Sequence, residues 1–315
     1  MKDTLLHKLN LSGFDYRKVE YLTGDASNRK YYKIYQKEKC NILMFDDGGK
    51  ENIENFLLKT KIFKNIGIKT PDIFDSNSEQ GIIILENFGN KKFSEILNKD
   101  NEQELYLTAM NSLIFLHKKK EIYFELFSKD YFFKEIQLFF DWYLMLIKKN
   151  ISDEKQKEFK NKFSKLLNFP MKLPTVNLHR DFHVDNLFFF NNQTGVKKCG
   201  WIDYQDALSG SCVYDIMSLL EDARRDISKQ MKNQLTNYYL ESFKSINKDL
   251  FYLSFRVLAI QRHLKVLGIF SRLNLRDGKN DYLSHIPRVI KMLRSNLEYK
   301  EFTDIRNILS PLLGK

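Results

Sequence analysis

The segment His179-Arg180-Asp181-Phe182-His183-Val184-Asp185-Asn186, followed by Gly200-Trp201-Ile202-Asp203, holds the side chains that phosphoryl transfer requires. Transfer from ATP needs one group that orients the attacking hydroxyl and takes its proton, and oxygen ligands that hold Mg²⁺ on the phosphates. Asp181 suits the first task. Asn186 and Asp203 suit the second, because carboxylate and amide oxygens match a hard cation. The competing interpretation is a surface loop whose Asp and Asn merely cap turns.

The elements around these residues argue for convergence. Pro174 to Leu178 is a short β-type run, and Leu187 to Phe190 reads as a strand. Turn residues follow from Asn191 to Gly195. Val196 to Ile202 then forms the returning strand, which ends at Asp203. A hairpin with one oxygen donor at each foot is the catalytic-loop and metal-loop layout of kinases.

On these residues the chain resembles the aminoglycoside phosphotransferase and choline kinase family of protein-kinase-like enzymes, over nearly its whole length. The resemblance implies a bilobal α+β fold, with a small antiparallel sheet lobe carrying one helix and a larger, mainly α lobe. It makes Asp181 the catalytic base and Asn186 and Asp203 the metal ligands. His183, two residues after Asp181, stands where protein kinases usually carry Lys. There is no Ala-Pro-Glu segment, and Asp203-Tyr204-Gln205 is not Asp-Phe-Gly, so a protein substrate is disfavoured. Several further segments are similar to bacterial anomeric sugar kinases that act on N-acetylmuramate and N-acetylglucosamine in cell-wall recycling. They are Gly24 to Arg29, Phe139 to Tyr143, Ile202 to Ala207, Tyr214 to Leu220, Gln261 to Lys265 and Arg276 to Lys279. That similarity implies an amino-sugar acceptor phosphorylated on its anomeric hydroxyl.

The small lobe is expected over residues 1–87, and the catalytic and substrate-binding lobe over 88–315. Val19 to Leu22, Tyr31 to Tyr35, Cys40 to Phe45, Ile73 to Asp75 and Gly81 to Leu85 predict five strands, and Gly49 to Ile66 a helix. Between the first two strands, Gly24-Asp25-Ala26-Ser27-Asn28 offers small side chains and backbone donors for phosphate, with Ser27 and Asn28 the best placed. From spacing alone a plain hairpin turn fits equally. Met44 occupies the third-strand position where kinases carry Lys. Arg29, Lys30 or Lys33 could substitute, with Glu51 or Glu54 as partner; surface charge is the equal alternative. Leu85 to Asn90 is the expected hinge, where Glu86 and Phe88 would flank an adenine ring.

On the acceptor side, Asp141 and Trp142 interrupt an apolar helix, Asp206 follows Asp203 by three residues, and His183 lies beside the base. Arg262 could take a substrate carboxylate bidentately, or pair structurally with Asp141. Trp142 could equally be core, and Asp215 is expected to brace the loop. His179 should hold the loop through its ring nitrogens.

Composition bounds the alternatives. The 315 residues are 43% hydrophobic, with 26 Phe, 16 Tyr and only 5 Pro, enough for an ordered core in two lobes. No stretch approaches the ~20 apolar residues that span a bilayer. Three cysteines without metal spacing suggest reduced thiols, hence a cytoplasmic protein, read here as a monomer. The net charge of +11 comes from 51 basic and 40 acidic residues that are interspersed, which fits a solvated surface better than a nucleic-acid or membrane interface. Choline, amino alcohols or aminoglycosides remain alternative acceptors. A catalytically silent nucleotide-binding module is a further alternative.

Overall fold

The computed structural model describes residues 2–22, 29–36 and 39–314. In chain order the elements are α1 (Lys2–Leu11), β1 (Lys18–Tyr21), β2 (Lys30–Gln36), β3 (Lys39–Phe45), α2 (Lys50–Ile66), β4 (Ile73–Asn77), β5 (Ile82–Leu85), α3 (Phe93–Ile96) and α4 (Glu102–His117). Then come α5 (Lys129–Leu138), a π-helical turn (Phe139–Tyr143), α6 (Leu144–Leu146), α7 (Asp153–Leu166), β6 (Thr175–Leu178), β7 (Leu187–Phe189), β8 (Cys199–Trp201) and β9 (Leu208–Ser211). The chain ends with α8 (Tyr214–Leu220), α9 (Lys229–Ser242), α10 (Lys248–Asp277), α11 (Ile286–Leu297) and α12 (Thr303–Leu309). Two compact units emerge, one of Met1–Ser112 with Val184–Asp206 and one of Leu113–His183 with Ala207–Lys315.

In the first unit five antiparallel strands lie in the order β1-β2-β3-β5-β4. The period-2 alternation of β2 and β3 turns Tyr32, Ile34, Leu43 and Phe45 to one face, where they pack with Ile82, Ile84 and Leu5 and Leu9 of α1. Met44 is fully buried on the other face, an apolar residue where a kinase lysine was sought. Helix α2 buries Ile53, Phe56, Thr60, Phe63 and Ile66, a stripe at helical spacing. It stops at Gly67, whose left-handed conformation (φ 104°) lets its N–H reach the carbonyls of Phe63 and Lys64. The β7–β8 hairpin completes the unit.

The second unit is helical around the antiparallel pair β6–β9. Its N-caps follow sequence: Ser152, Ser228 and Asn247 accept the amides of Lys155, Met231 and Leu250. The helix that begins at Lys129 is broken by the π-helical turn, in which Leu144 N–H reaches back to Phe139 O. The returning strand is shorter than expected, because a 3₁₀ turn takes Gly195–Lys198. Helix α8 ends at Leu220, and α10 runs to Asp277, where Gly278 (φ 67°) caps it. Among the described residues no helix is long and apolar enough to cross a membrane.

Helix α10 lies against the end of α5 at Gly268, where a Cβ would fall 2.3 Å from Leu138 C and 2.5 Å from Leu138 O. Alanine normally favours a helix interior over glycine by about 1 kcal/mol. Here overpacking of about 1–3 kcal/mol outweighs that gain. Gly268→Ala is therefore expected to lower the melting temperature by several degrees in a thermal melt. A raised melting temperature contradicts this packing.

Candidate active site

The hairpin in the first unit carries two of the expected ligands at its foot. Leu187 pairs with Trp201, and Ile202 N–H donates to Asn186 O at 3.0 Å, so the ladder runs one step further toward Asp203. Asn186 is nearly buried in a 3₁₀ turn, Val184–Asn186. Asp203 has a left-handed backbone (φ 61°), which bends the chain out of the strand; aspartate tolerates this conformation better than most residues. Gln205 Nε2 donates to Asp203 Oδ1 at 2.7 Å. An amide and a carboxylate oxygen at one hairpin foot suit a hard divalent cation. Among the described residues no group of three or more His, Cys, Asp and Glu is placed to hold a metal ion.

Helix α2 anchors the loop after β8. Tyr204 stacks on Phe56 (5.6 Å between centroids), meets Phe63 edge-on, and its hydroxyl lies 2.8 Å from Thr60 Oγ1. Lys59 Nζ and Asn55 Nδ2 both donate to Gln205 O, at 2.7 and 3.2 Å. Residues 55 and 59 carry no motif that would have exposed this role; only their helical spacing of four hints at a shared face.

Asp181 is held within the second unit. Arg180 adopts a left-handed conformation (φ 72°), unusual for a long side chain. Buried Asp215 accepts the amides of His179 and Arg180, at 2.6 and 2.9 Å, and so braces this turn. His179 Nδ1 accepts the Asp181 amide at 3.2 Å. The Asp181 carboxylate receives Arg262 Nη2 on Oδ1 at 2.8 Å and faces His183 Nε2 from Oδ2 at 3.2 Å. Its side chain remains 43% exposed, while His183 and Arg262 are almost sealed from solvent. Desolvation would raise the Asp181 pKa, but His183 and Arg262 outweigh it and hold the carboxyl well below its usual range. Burial lowers the His183 pKa, but the Asp181 carboxylate outweighs that and raises it. Behind the loop, Glu135 takes Arg180, Lys265 (2.7 Å) and Gln261 (2.8 Å), a buried network that the sequence did not disclose.

The other expected site residues fall in varied surroundings. Ser27 and Asn28 lie outside the described residues. Arg29 Nε donates to Asp46 Oδ2 at 2.9 Å; Asp46 is buried at the end of β3 and also accepts Gly48 N–H. Glu51 and Glu54, the partners considered from sequence, are exposed. Lys33 is half-buried in β2, opposite Ile42 and Glu20. Glu86 pairs with Lys69 at 2.7 Å, and Phe88 packs edge-on against Phe188 and Phe190. Asp141 is exposed and accepts Gln137 Nε2 at 2.8 Å, Trp142 is half-buried, and Asp206 is exposed at the end of the loop. Arg262, considered as a receptor for a substrate carboxylate, grips Asp181 and, through Nη1, the carbonyl of Arg180 at 3.2 Å.

Comparison with known proteins gives a consistent picture. Residues 18–247 match the model of the phosphotransferase enzyme family. The chain is 29% identical to the N-acetylmuramate/N-acetylglucosamine kinase of Neisseria meningitidis serogroup B, over 94% of this chain and 91% of that one. It is 27% identical to the protein of the same description from Pseudomonas aeruginosa, over 92% and 87%. Among solved structures it is similar in fold to choline kinase LicA from Streptococcus pneumoniae, with a TM-score of 0.66, 16% identity and coverage of 94% and 99%. The ADP-bound aminoglycoside phosphotransferase APH(2'')-Ib gives 0.62, with 16% identity and coverage of 96% and 99%.

Burial pushes the Asp215 carboxyl up to about 7, even against the two amides that favour its charged form. Asp215 and His183 thus both bind a proton more tightly in the folded chain than in the unfolded one, so stability falls as pH rises. The Asp215 window opens near its ordinary value of 3.8 and closes at about 7; that of His183 opens near 6.5. Burial would raise the Glu221 pKa, but His263 at 2.7 Å helps to lower it to about 2, so its contribution is lost only as pH falls from 4.5. Buried His117, whose pKa desolvation pushes down to about 3, acts with the opposite sign up to its ordinary 6.5 and offsets Asp215 there. The melting temperature should therefore decline between pH 6.5 and 8, while in Asp215→Asn, which leaves His117 unopposed, it should rise between pH 5 and 6.5. Thermal melts from pH 5 to 8 check this, and a wild-type curve that is flat or rising above pH 6.5 counts against it.

Proposed function

The chain belongs to the phosphotransferase enzyme family, and from that premise we propose that it is an ATP- and Mg²⁺-dependent kinase of N-acetylmuramate and N-acetylglucosamine, acting on the anomeric hydroxyl. The observation that carries the proposal is the half-exposed Asp181 carboxylate, held by Arg262 and His183, in a chain whose next oxygen donors, Asn186 and Asp203, share one hairpin foot. The acceptor class is supported by the amino-sugar kinases that align with nearly the whole chain.

In this proposal residues 1–87 form the nucleotide-binding lobe and 88–315 the catalytic and substrate lobe. Ser27, Asn28, Arg29 and Lys33 face the phosphates. The Arg29–Asp46 pair takes the place of the missing third-strand lysine and its carboxylate partner, since it too fixes a cation near the end of β3. Glu86 and Phe88 border the adenine. Asn186 and Asp203 would hold Mg²⁺, which when bound neutralises charge on the terminal phosphates. Asp181 orients the acceptor hydroxyl and receives its proton. His183, Asp206, Asp141 and Trp142 face the sugar. Catalysis then comes from positioning and electrostatics, with no covalent intermediate on the protein. Use of ATP fits a cytoplasmic enzyme, and the proposal takes the chain to act as a monomer.

Two experiments test the proposal. ATP consumption over a panel of N-acetylmuramate, N-acetylglucosamine, choline and kanamycin, with NMR of the product, should show turnover with the amino sugars and phosphate on the anomeric oxygen. Turnover confined to choline or kanamycin sinks the acceptor class. Asp181→Asn should lower kcat by about 10²–10⁴-fold with ATP affinity kept, the range that general-base catalysis contributes. Asp203→Ala should also abolish Mg²⁺-dependent ATP binding in calorimetry. Near-wild-type turnover in either variant is incompatible with the assigned roles.

A further inference from the structure

Asp181 is gripped by an arginine and a histidine at once. Arg262 Nη2 lies 2.8 Å from Oδ1, and His183 Nε2 lies 3.2 Å from Oδ2. Arg262 rises from the middle of α10 and is itself fixed, because its Nη1 binds Arg180 O at 3.2 Å. On the same helix Gln261 and Lys265, four residues apart, bind Glu135, which holds the Arg180 side chain. Asp215, which accepts the loop amides, is close enough to Arg262 to act on it electrostatically. Asp222 and Arg224 act in the same way on His183.

A general base usually works better as its pKa rises toward the working pH. A guanidinium and an imidazole on a carboxylate do the reverse: they stabilise its charged form and make it a poor proton acceptor. The Asp181 carboxyl does lie well below its usual range. So weak a base gives little help to an ordinary alcohol. It suffices for a hydroxyl that releases its proton readily. A hemiacetal hydroxyl is of that kind, because the ring oxygen on the same carbon draws electron density from it.

We propose that Arg262 is a positioning residue that sets specificity: with His183 it keeps Asp181 a weak base, which serves hemiacetal hydroxyls and discriminates against ordinary alcohols, an inference that rests on the sugar acceptor class proposed above. In the transfer the acceptor O–H bond breaks and its proton passes to an Asp181 oxygen. The acceptor oxygen bonds to the γ-phosphorus as the bond from that phosphorus to the β,γ-bridging oxygen breaks. ADP departs with that electron pair, and Asp181 later returns its proton to water.

The test compares N-acetylglucosamine with its carba analogue, in which CH₂ replaces the ring oxygen. The reacting hydroxyl stays in place but becomes an ordinary alcohol. The wild-type enzyme should be inhibited competitively by the analogue yet turn it over about 10²-fold more slowly or worse, the lower end of what proton transfer contributes. Arg262→Met removes the charge at similar length. It should narrow that ratio by about tenfold, as a stronger base helps the weaker acid, since a neighbouring Arg depresses an Asp pKa by about 1–3 units. Arg262→Lys keeps the charge and should keep the ratio, whatever its turnover. If Arg262→Met slows both acceptors equally, Arg262 is only structural and the proposal is overturned. If that variant does not fold, the wild-type comparison still decides, because equal turnover of both acceptors overturns it. A wild type that phosphorylates neither amino sugar refutes the acceptor class instead.

Discussion

A carboxylate buried without contact to solvent, Asp215, takes the amides of His179 and Arg180 and holds the turn in which Asp181 stands. Arg180 occupies a backbone region that a long side chain seldom adopts, and such a conformation persists only where its surroundings over-determine it. Two hydrogen bonds donated by backbone amides to one carboxylate, together with the Arg180–Glu135 ion pair, supply that determination. The direction of the Asp181 side chain, and with it the approach of Arg262 and His183, follows from this brace.

The first unit solves a similar problem by different means. Asp203 also has a positive φ, but its loop is pinned from α2 by the buried contacts of Tyr204 with Phe56, Thr60 and Phe63 and by the bonds of Lys59 and Asn55 to Gln205 O. Aromatic packing anchors the loop, and two polar side chains capture the Gln205 carbonyl beyond the bend. A helix that reads as a lobe element is thus also the support of an oxygen donor.

Much of this was legible beforehand because it depends on local pattern. Strand β2 alternates, β5 is a short unbroken apolar run, α2 repeats its apolar residues at helical spacing, and Ser152, Ser228 and Asn247 announce their helices. The interruption at Phe139–Tyr143 was not legible. Its residues favour a helix, and the widened turn lies where Gly268 lets α10 approach the backbone of Leu138. The Arg29–Asp46 pair was missed because the partner sits at a strand end rather than on the following helix. Glu135 escaped notice because a single glutamate on an amphipathic helix looks like surface charge until Arg180 and Lys265 close over it.

The order of residues alone determined which groups could do chemistry: an aspartate, an asparagine five positions later and an aspartate beyond a hairpin. Short-range forces suffice for that, since strand alternation and turn residues place Asn186 and Asp203 at one hairpin foot. What only the folded chain decided is the electrical state of Asp181. Arg262 is 81 residues away and reaches the carboxylate solely through the packing of α10. A charge–charge interaction depends on distance and desolvation, and neither exists until the helices have assembled.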